Sequence, residues 1–177
     1  MIFDLDPPHE NKDYSVVRKA ALDIRVVMRE LDLMCWVQTT GSHGFHVVIP
    51  LDRTMTFDEV RNFAQDVSRL LIQRNEGVYT LEDHISERSG RTFLDTLRNS
   101  YGATAVAPYA VRTRPEASVA TPVDWLEMEA GVSPRDWTIQ NLPQRLATRE
   151  DPWKDMSEYP QHLQSRWEKL RNLLNIH

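Results

Sequence analysis

MIFDLDPP, residues 1–8, is the stretch from which the rest of this 177-residue chain can be read. Ile2, Phe3 and Leu5 form an apolar strand, and Pro7-Pro8 end it because proline has no N–H to offer a ladder. Within that strand Asp4 and Asp6 stand two positions apart. Their side chains therefore point the same way, roughly 7 Å from each other along the chain. Two carboxylates held over one spot repel unless a cation separates them. Hard oxygen donors suit magnesium or manganese. The plain alternative is a pair of exposed acids where a strand gives way to a turn.

Outward from this strand, Asp13 can cap a helix to about residue 33, with Val16, Val17, Ala20, Ala21, Ile24, Val27, Met28 and Leu31 recurring at helical period. Strands follow at 35–40 and 45–51, joined by the turn Gly41-Ser42-His43-Gly44. Thr56 and Glu59 make a capping box that opens a second amphipathic helix through Val60, Phe63, Ala64, Val67, Leu70 and Leu71. Residues 91–95 and 103–111 read as further strands. Thr121-Pro122 reads as a cap plus first-turn proline for a helix over 123–129. From 131 to 159 proline and turn residues allow brief helices only. Pro160 then starts a C-terminal helix with a seam of Leu163, Trp167, Leu170 and Leu174. The expectation is one α+β domain over 1–177, a mostly antiparallel sheet with helices on one face and a tail, 131–177, wrapped around it.

Composition narrows the possibilities. The chain is 41% hydrophobic and 27% charged, ordinary for a globular domain, and no apolar run approaches a membrane span. A single cysteine, Cys35, excludes an internal disulfide framework and fits a reducing cytosol. The net charge of −5 argues against coating nucleic acid with the whole surface. Against that background residues 86–114 hold five arginines (Arg88, Arg91, Arg98, Arg112 and Arg114) and two acids. Such a stripe reads either as a confined anion site or as a solvated face with internal ion pairs.

Two more features carry chemistry. In Thr40-Gly41-Ser42-His43-Gly44-Phe45-His46 the glycines let backbone amides approach an anion, and hydroxyls and imidazoles add donors. Read plainly, it is a hairpin turn with a satisfied histidine. A zinc site on His43 and His46 lacks a third ligand at sensible spacing. In Phe93-Leu94-Asp95 an aspartate again ends an apolar strand, so Asp95 is a candidate third carboxylate, and Arg112, with Arg114, can grip phosphate bidentately. Asp95 paired to an arginine for charge balance alone is the competing reading. A dehalogenase-type phosphatase with Asp4 as nucleophile and Asp6 as acid/base fits poorly, given Pro7-Pro8 and the arginine-rich remainder.

IFDLDPP, TTGSHGFHVVIPL and RSGRTFLDTLRNSYGATAVAPYAVRTRPEASVATPVDWLEM, in that order, resemble the polymerase domain of bacterial DNA ligase D, within the archaeo-eukaryotic primase superfamily. The resemblance extends through Trp137 toward Trp153. It implies a primase-polymerase core with an RRM-like sheet. It also implies nucleotidyl transfer onto DNA ends in non-homologous end joining, with ribonucleotide preference, and a cytoplasmic, nucleoid-associated location. Its partners would be primer-template DNA ends, nucleoside triphosphates, Ku and a DNA ligase, with no membrane. By position, Asp4, Asp6 and Asp95 match the carboxylates that hold two Mn2+ or Mg2+ ions, Asp95 serving the metal that activates the primer hydroxyl. Thr40, Ser42, His43, His46 and Arg112 match nucleotide-binding positions.

Two departures set expectations. His43 stands where the family usually has lysine, so nucleotide affinity is expected to improve as His43 gains a proton. Family members also carry a segment ahead of the DLDP strand, so an uncovered apolar flank is expected to invite a homo-oligomer or partner. A catalytically weak DNA-binding or assembly subunit, active only with another chain, is the alternative function.

Overall fold

The computed structural model describes residues 1–8 and 13–175. Among these, six strands form one sheet: β1 (Ile2–Asp6), β2 (Trp36–Thr39), β3 (Phe45–Val48), β4 (Tyr79–Thr80), β5 (Thr92–Asp95) and β6 (Pro122–Val123), in the order β4-β5-β1-β3-β2-β6. All pairings are antiparallel except β4 with β5. Strand alternation sorts the side chains. Phe3, Leu5, Val37, Phe45, Val47 and Leu94 are fully buried on one face. Asp4, His46, Gln38 and Asp95 share the other, because residues directly opposite each other across a ladder project to the same side.

Two helices cover the apolar face. α1 (Ser15–Glu30) buries Val17, Ala20, Ala21, Ile24, Val27 and Met28, and α2 (Phe57–Arg74) buries Phe63, Ala64, Val67, Leu70 and Leu71. The capping box of α2 is formed, Thr56 and Glu59 each accepting from the other's backbone N–H. Asp13 does not cap α1 itself. It accepts from Ser15 N at 2.9 Å, one residue ahead of the cap residue Tyr14.

Three sequence expectations shift. Residues 103–111 form no strand: Pro108 has no N–H, Tyr109 sits at φ 64°, and the only bridge is Val111 to Val119. That segment instead folds against residues 117–121, with Tyr109 N donating to Ala120 O at 2.7 Å and Arg112 N to Ser118 O at 2.7 Å. Thr121 exchanges backbone bonds with Thr39, at 3.2 and 2.9 Å, which draws Pro122 and Val123 into an edge strand. The helix, α3 (Trp125–Ala130), therefore starts two residues late, under a capping box from Asp124 and Glu127. β4 is an addition that two residues in a row were too short to announce.

α4 (Leu142–Thr148) and α5 (Gln164–Leu173) complete the tail. Arg145 of α4 is 6% exposed, bonded to Glu127 and to Pro122 O, and its guanidinium lies 4.5 Å from the Trp137 ring centre. α5 packs on α2 through Trp167, which meets Phe63 edge-on and donates to Asp66 at 2.7 Å. A cavity of about 580 Å³ beside Met1 is lined largely by Ile2, Leu51, Met55, Phe57 and Val60. No helix among the described residues is long and apolar enough to cross a membrane.

Candidate active site

On the polar face four side chains stand in a row across four strands: Asp95, Asp4, His46 and Gln38, each in register with the next. Asp6 lies on the same face of β1, two residues on, so the three aspartates singled out in the sequence converge on one side of the sheet. Asp95 reaches that face because Leu94, its neighbour in β5, pairs with Leu5 on the core side.

The three carboxylates carry unequal burdens. Burial alone would raise Asp4, but His46 Nε2 at 3.3 Å and Arg98 Nε at 3.0 Å outweigh it, holding its carboxyl below the ordinary range. Among the described residues Asp6 has no such pair. Burial first, then the charges of Asp4 and Asp95, push it up to about 6. Asp95 is also raised, chiefly by burial, although Leu97 N donates to it at 2.6 Å. Arg98 bridges Asp4 and Asp95, its Nε being 3.5 Å from the latter.

His46 is held in one protonation pattern. The Gln38 amide donates to Val106 O at 3.0 Å and lies 3.3 Å from His46 Nδ1. That orientation makes Nδ1 the acceptor and leaves Nε2–H to face Asp4. Gln38 Oε1 is then buried with no hydrogen-bond partner among the described residues. Gln38 was missed from sequence, although a polar residue inside a buried strand was the available signal.

Beside this row lies the turn between β2 and β3. Thr40 Oγ1 donates to Gly44 O at 3.0 Å and accepts from the backbone N–H groups of Ser42 and Gly44, both at 3.2 Å. All its bonding capacity braces the turn. The flanking glycines are there for close packing: a Cβ on Gly44 would come 1.8 Å from Leu5 O, and one on Gly41, at φ 64°, 2.7 Å from Arg112 Cγ. His43 lies on the outer side, 2.6 Å from Arg135 Nη2, an arginine 92 residues away that no local pattern announces.

The arginine stripe divides. Arg88 and Arg91 donate to backbone carbonyls of residues 82–88, and Arg88 stacks on Phe93 at 4.3 Å. Arg98 belongs to the carboxylates and Arg114 donates to Ser42 Oγ at 2.6 Å. Among the described residues, Arg112 is the stripe's one guanidinium with no hydrogen bond or ion pair. A cavity of about 430 Å³ gathers Asp4, Asp6, Thr40, Ser42, His46 and Arg112 with Arg98 and residues 104–106.

Among the described residues no three His, Cys, Asp or Glu side chains stand as a formed metal site. The donor chemistry nevertheless suits a hard divalent cation. Three carboxylates share a face, two of them held above their ordinary range by burial and mutual charge, and the cation now between them is the Arg98 guanidinium.

The family model for the LigD primase-polymerase domain matches residues 1–153. The chain is 34% identical over 156 residues to the multifunctional non-homologous end joining protein LigD of Pseudomonas aeruginosa, covering 87% of this chain and 18% of that protein. It is 26% identical over 162 residues to the bifunctional protein LigD of Bacillus subtilis, covering 91% of this chain and 26% of that one. It thus spans about a fifth to a quarter of the length of these relatives. The solved polymerase domain of Mycobacterium tuberculosis ligase D, in complex with DNA, superposes with a TM-score of 0.81 at 27% identity, over 91% of this chain and 55% of the other.

Proposed function

This chain belongs to the LigD primase-polymerase domain family, and from that premise we propose that it adds nucleotides, ribonucleotides among them, to DNA ends during non-homologous end joining. The observation that carries the reading is the convergence of Asp4, Asp6 and Asp95 on one sheet face, beside a cavity lined by Asp4, Asp6, Ser42 of the turn and Arg112 of the segment packed against residues 117–121. Asp4, Asp6 and Asp95 would hold two manganese or magnesium ions. Such a pair, when bound, supplies activation of a primer 3′-hydroxyl and neutralisation of the pyrophosphate.

The chain's own residues do the rest. His46, fixed by Gln38, orients Asp4. Thr40 holds the turn in shape, Ser42 donates to a triphosphate oxygen, and Arg112 grips phosphate with its two-pronged guanidinium. Alignment and charge placement, rather than covalent chemistry, are what a protein contributes to such a displacement. Primer-template ends and nucleoside triphosphates are the substrates, and Ku and a DNA ligase the expected partners.

Primer extension tests this. The chain, a primer-template, manganese and ribonucleoside triphosphates should yield extended primer, and Asp6→Asn should abolish the product. Extension seen only after another chain is supplied would favour an assembly subunit. No extension under either condition would overturn the transferase reading.

A further inference from the structure

Arg135 and His43 lie outside the cavity, yet both bear on Ser42, whose hydroxyl belongs to the turn that lines it. Arg135 Nε donates to Ser42 O at 2.8 Å, its Nη2 is 2.6 Å from His43 Nε2, and Glu116 lies 3.5 Å from its Nη1. A guanidinium has donors only, so His43 Nε2 must accept with its lone pair. The ring proton of the neutral imidazole therefore sits on Nδ1. That nitrogen is 3.2 Å from Ser42 Oγ, which also receives Arg114 Nη2 at 2.6 Å.

A hydroxyl oxygen has two lone pairs and one hydrogen. With both lone pairs of Ser42 engaged, by His43 Nδ1–H and by Arg114, its hydrogen is the valence that remains, and Ser42 lines the cavity. We propose that Arg135 is a positioning residue which, through the His43 tautomer, makes Ser42 an obligate hydrogen-bond donor to a phosphate oxygen of the incoming nucleoside triphosphate. This rests on the reading of the turn as the triphosphate site.

The arrangement also answers the departure at His43. A permanent cation stands beside the imidazole, and it is supplied from a distant loop rather than from the turn itself. The contact needs the Nε2 lone pair and is lost when that nitrogen takes a proton. The gain on acidification expected from the sequence is thus opposed by loss of the relay.

The experiment uses the whole chain, with manganese and ATP as the probe. Imidazole 15N resonances of the unliganded protein should show His43 protonated on Nδ1, and an Nε2–H ring would overturn the relay without any variant. Arg135→Gln and Ser42→Ala should each weaken ATP binding about 3- to 10-fold, raising KM by more than they lower kcat. The double variant should bind no worse than the weaker single one, because both remove the same bond. Ser42→Ala with unchanged affinity would overturn the triphosphate reading of the turn. Weakening by Ser42→Ala but not by Arg135→Gln, or additive losses, would overturn the relay and leave that reading intact.

Discussion

Asp4 and Asp6 share a strand and a face, but their surroundings set opposite costs for carrying charge. His46 and Arg98 hold Asp4 charged, whereas burial and two like charges lift Asp6 to about 6. For Asp6 the unfolded carboxyl titrates near 3.8, so between that value and about 6 the folded chain binds more protons than the unfolded one. Stability without metal should fall as pH rises through this window and stay low above it. Asp6→Asn should then raise unfolding free energy at pH 8 by roughly 1–3 kcal/mol and flatten the profile, read by urea titration at pH 5 and 8. Asp4→Ala should act in the other direction. It removes the carboxylate that faces buried His46 and leaves Arg98 with the longer contact to Asp95, 3.5 Å, and a loss of roughly 1–3 kcal/mol is expected in the same titration. Repulsion between the two acids, the natural inference from their spacing, thus shows at Asp6, whereas at Asp4 the pairs with His46 and Arg98 outweigh it.

Elements followed the local signals where those were redundant. Helix α2 has a capping box, a helical apolar stripe and no breaker, and it runs where the pattern puts it. At residues 121–124 the sequence pattern puts the helix start at Thr121-Pro122, whereas α3 begins under the Asp124 and Glu127 capping box. The choice fell to Thr39, whose backbone bonds to Thr121 make the first pair an edge strand. That junction is then locked by Arg145, buried against Glu127 and Pro122 O. Arg145→Ala removes two charged bonds from a half-buried carboxylate that keeps Asp124 N–H and Arg149 at 3.4 Å, and should cost about 1–3 kcal/mol by chemical denaturation. In the β2–β3 turn, Gly44→Ala would drive a methyl into Leu5 O. We expect it to loosen the β1–β3 ladder, reported by faster amide exchange at residues 2–5 and 45–48.

At the scale of the molecule, the sheet divides labour between its faces: helices cover one and the carboxylate row occupies the other. The family match stops at residue 153, yet the helix beyond it is packed into the core. Leu163 and Leu170 are 1% and 0% exposed, and Trp167 is pinned between Phe63 and Asp66. We propose that 154–175 is part of the same folding unit. Leu170→Ala should then lower global stability by about 2–5 kcal/mol in one cooperative transition, as a core residue does. A separate early transition would make the tail an appendage.

Sequence alone determined the strand that carries Asp4 and Asp6, the two long helices, the β2–β3 turn and the identity of Asp95, because each is written in contiguous residues with a fixed period. Tertiary structure alone decided which charges meet. Whether Asp95 faces Asp4 depends on ladder register. Whether an arginine lines the cavity or is spent on a backbone carbonyl depends on the fold around it, which separates Arg112 from Arg88 and Arg91. Arg135 reaches His43 across 92 residues of chain, and no periodicity encodes a contact made only when two loops close on each other.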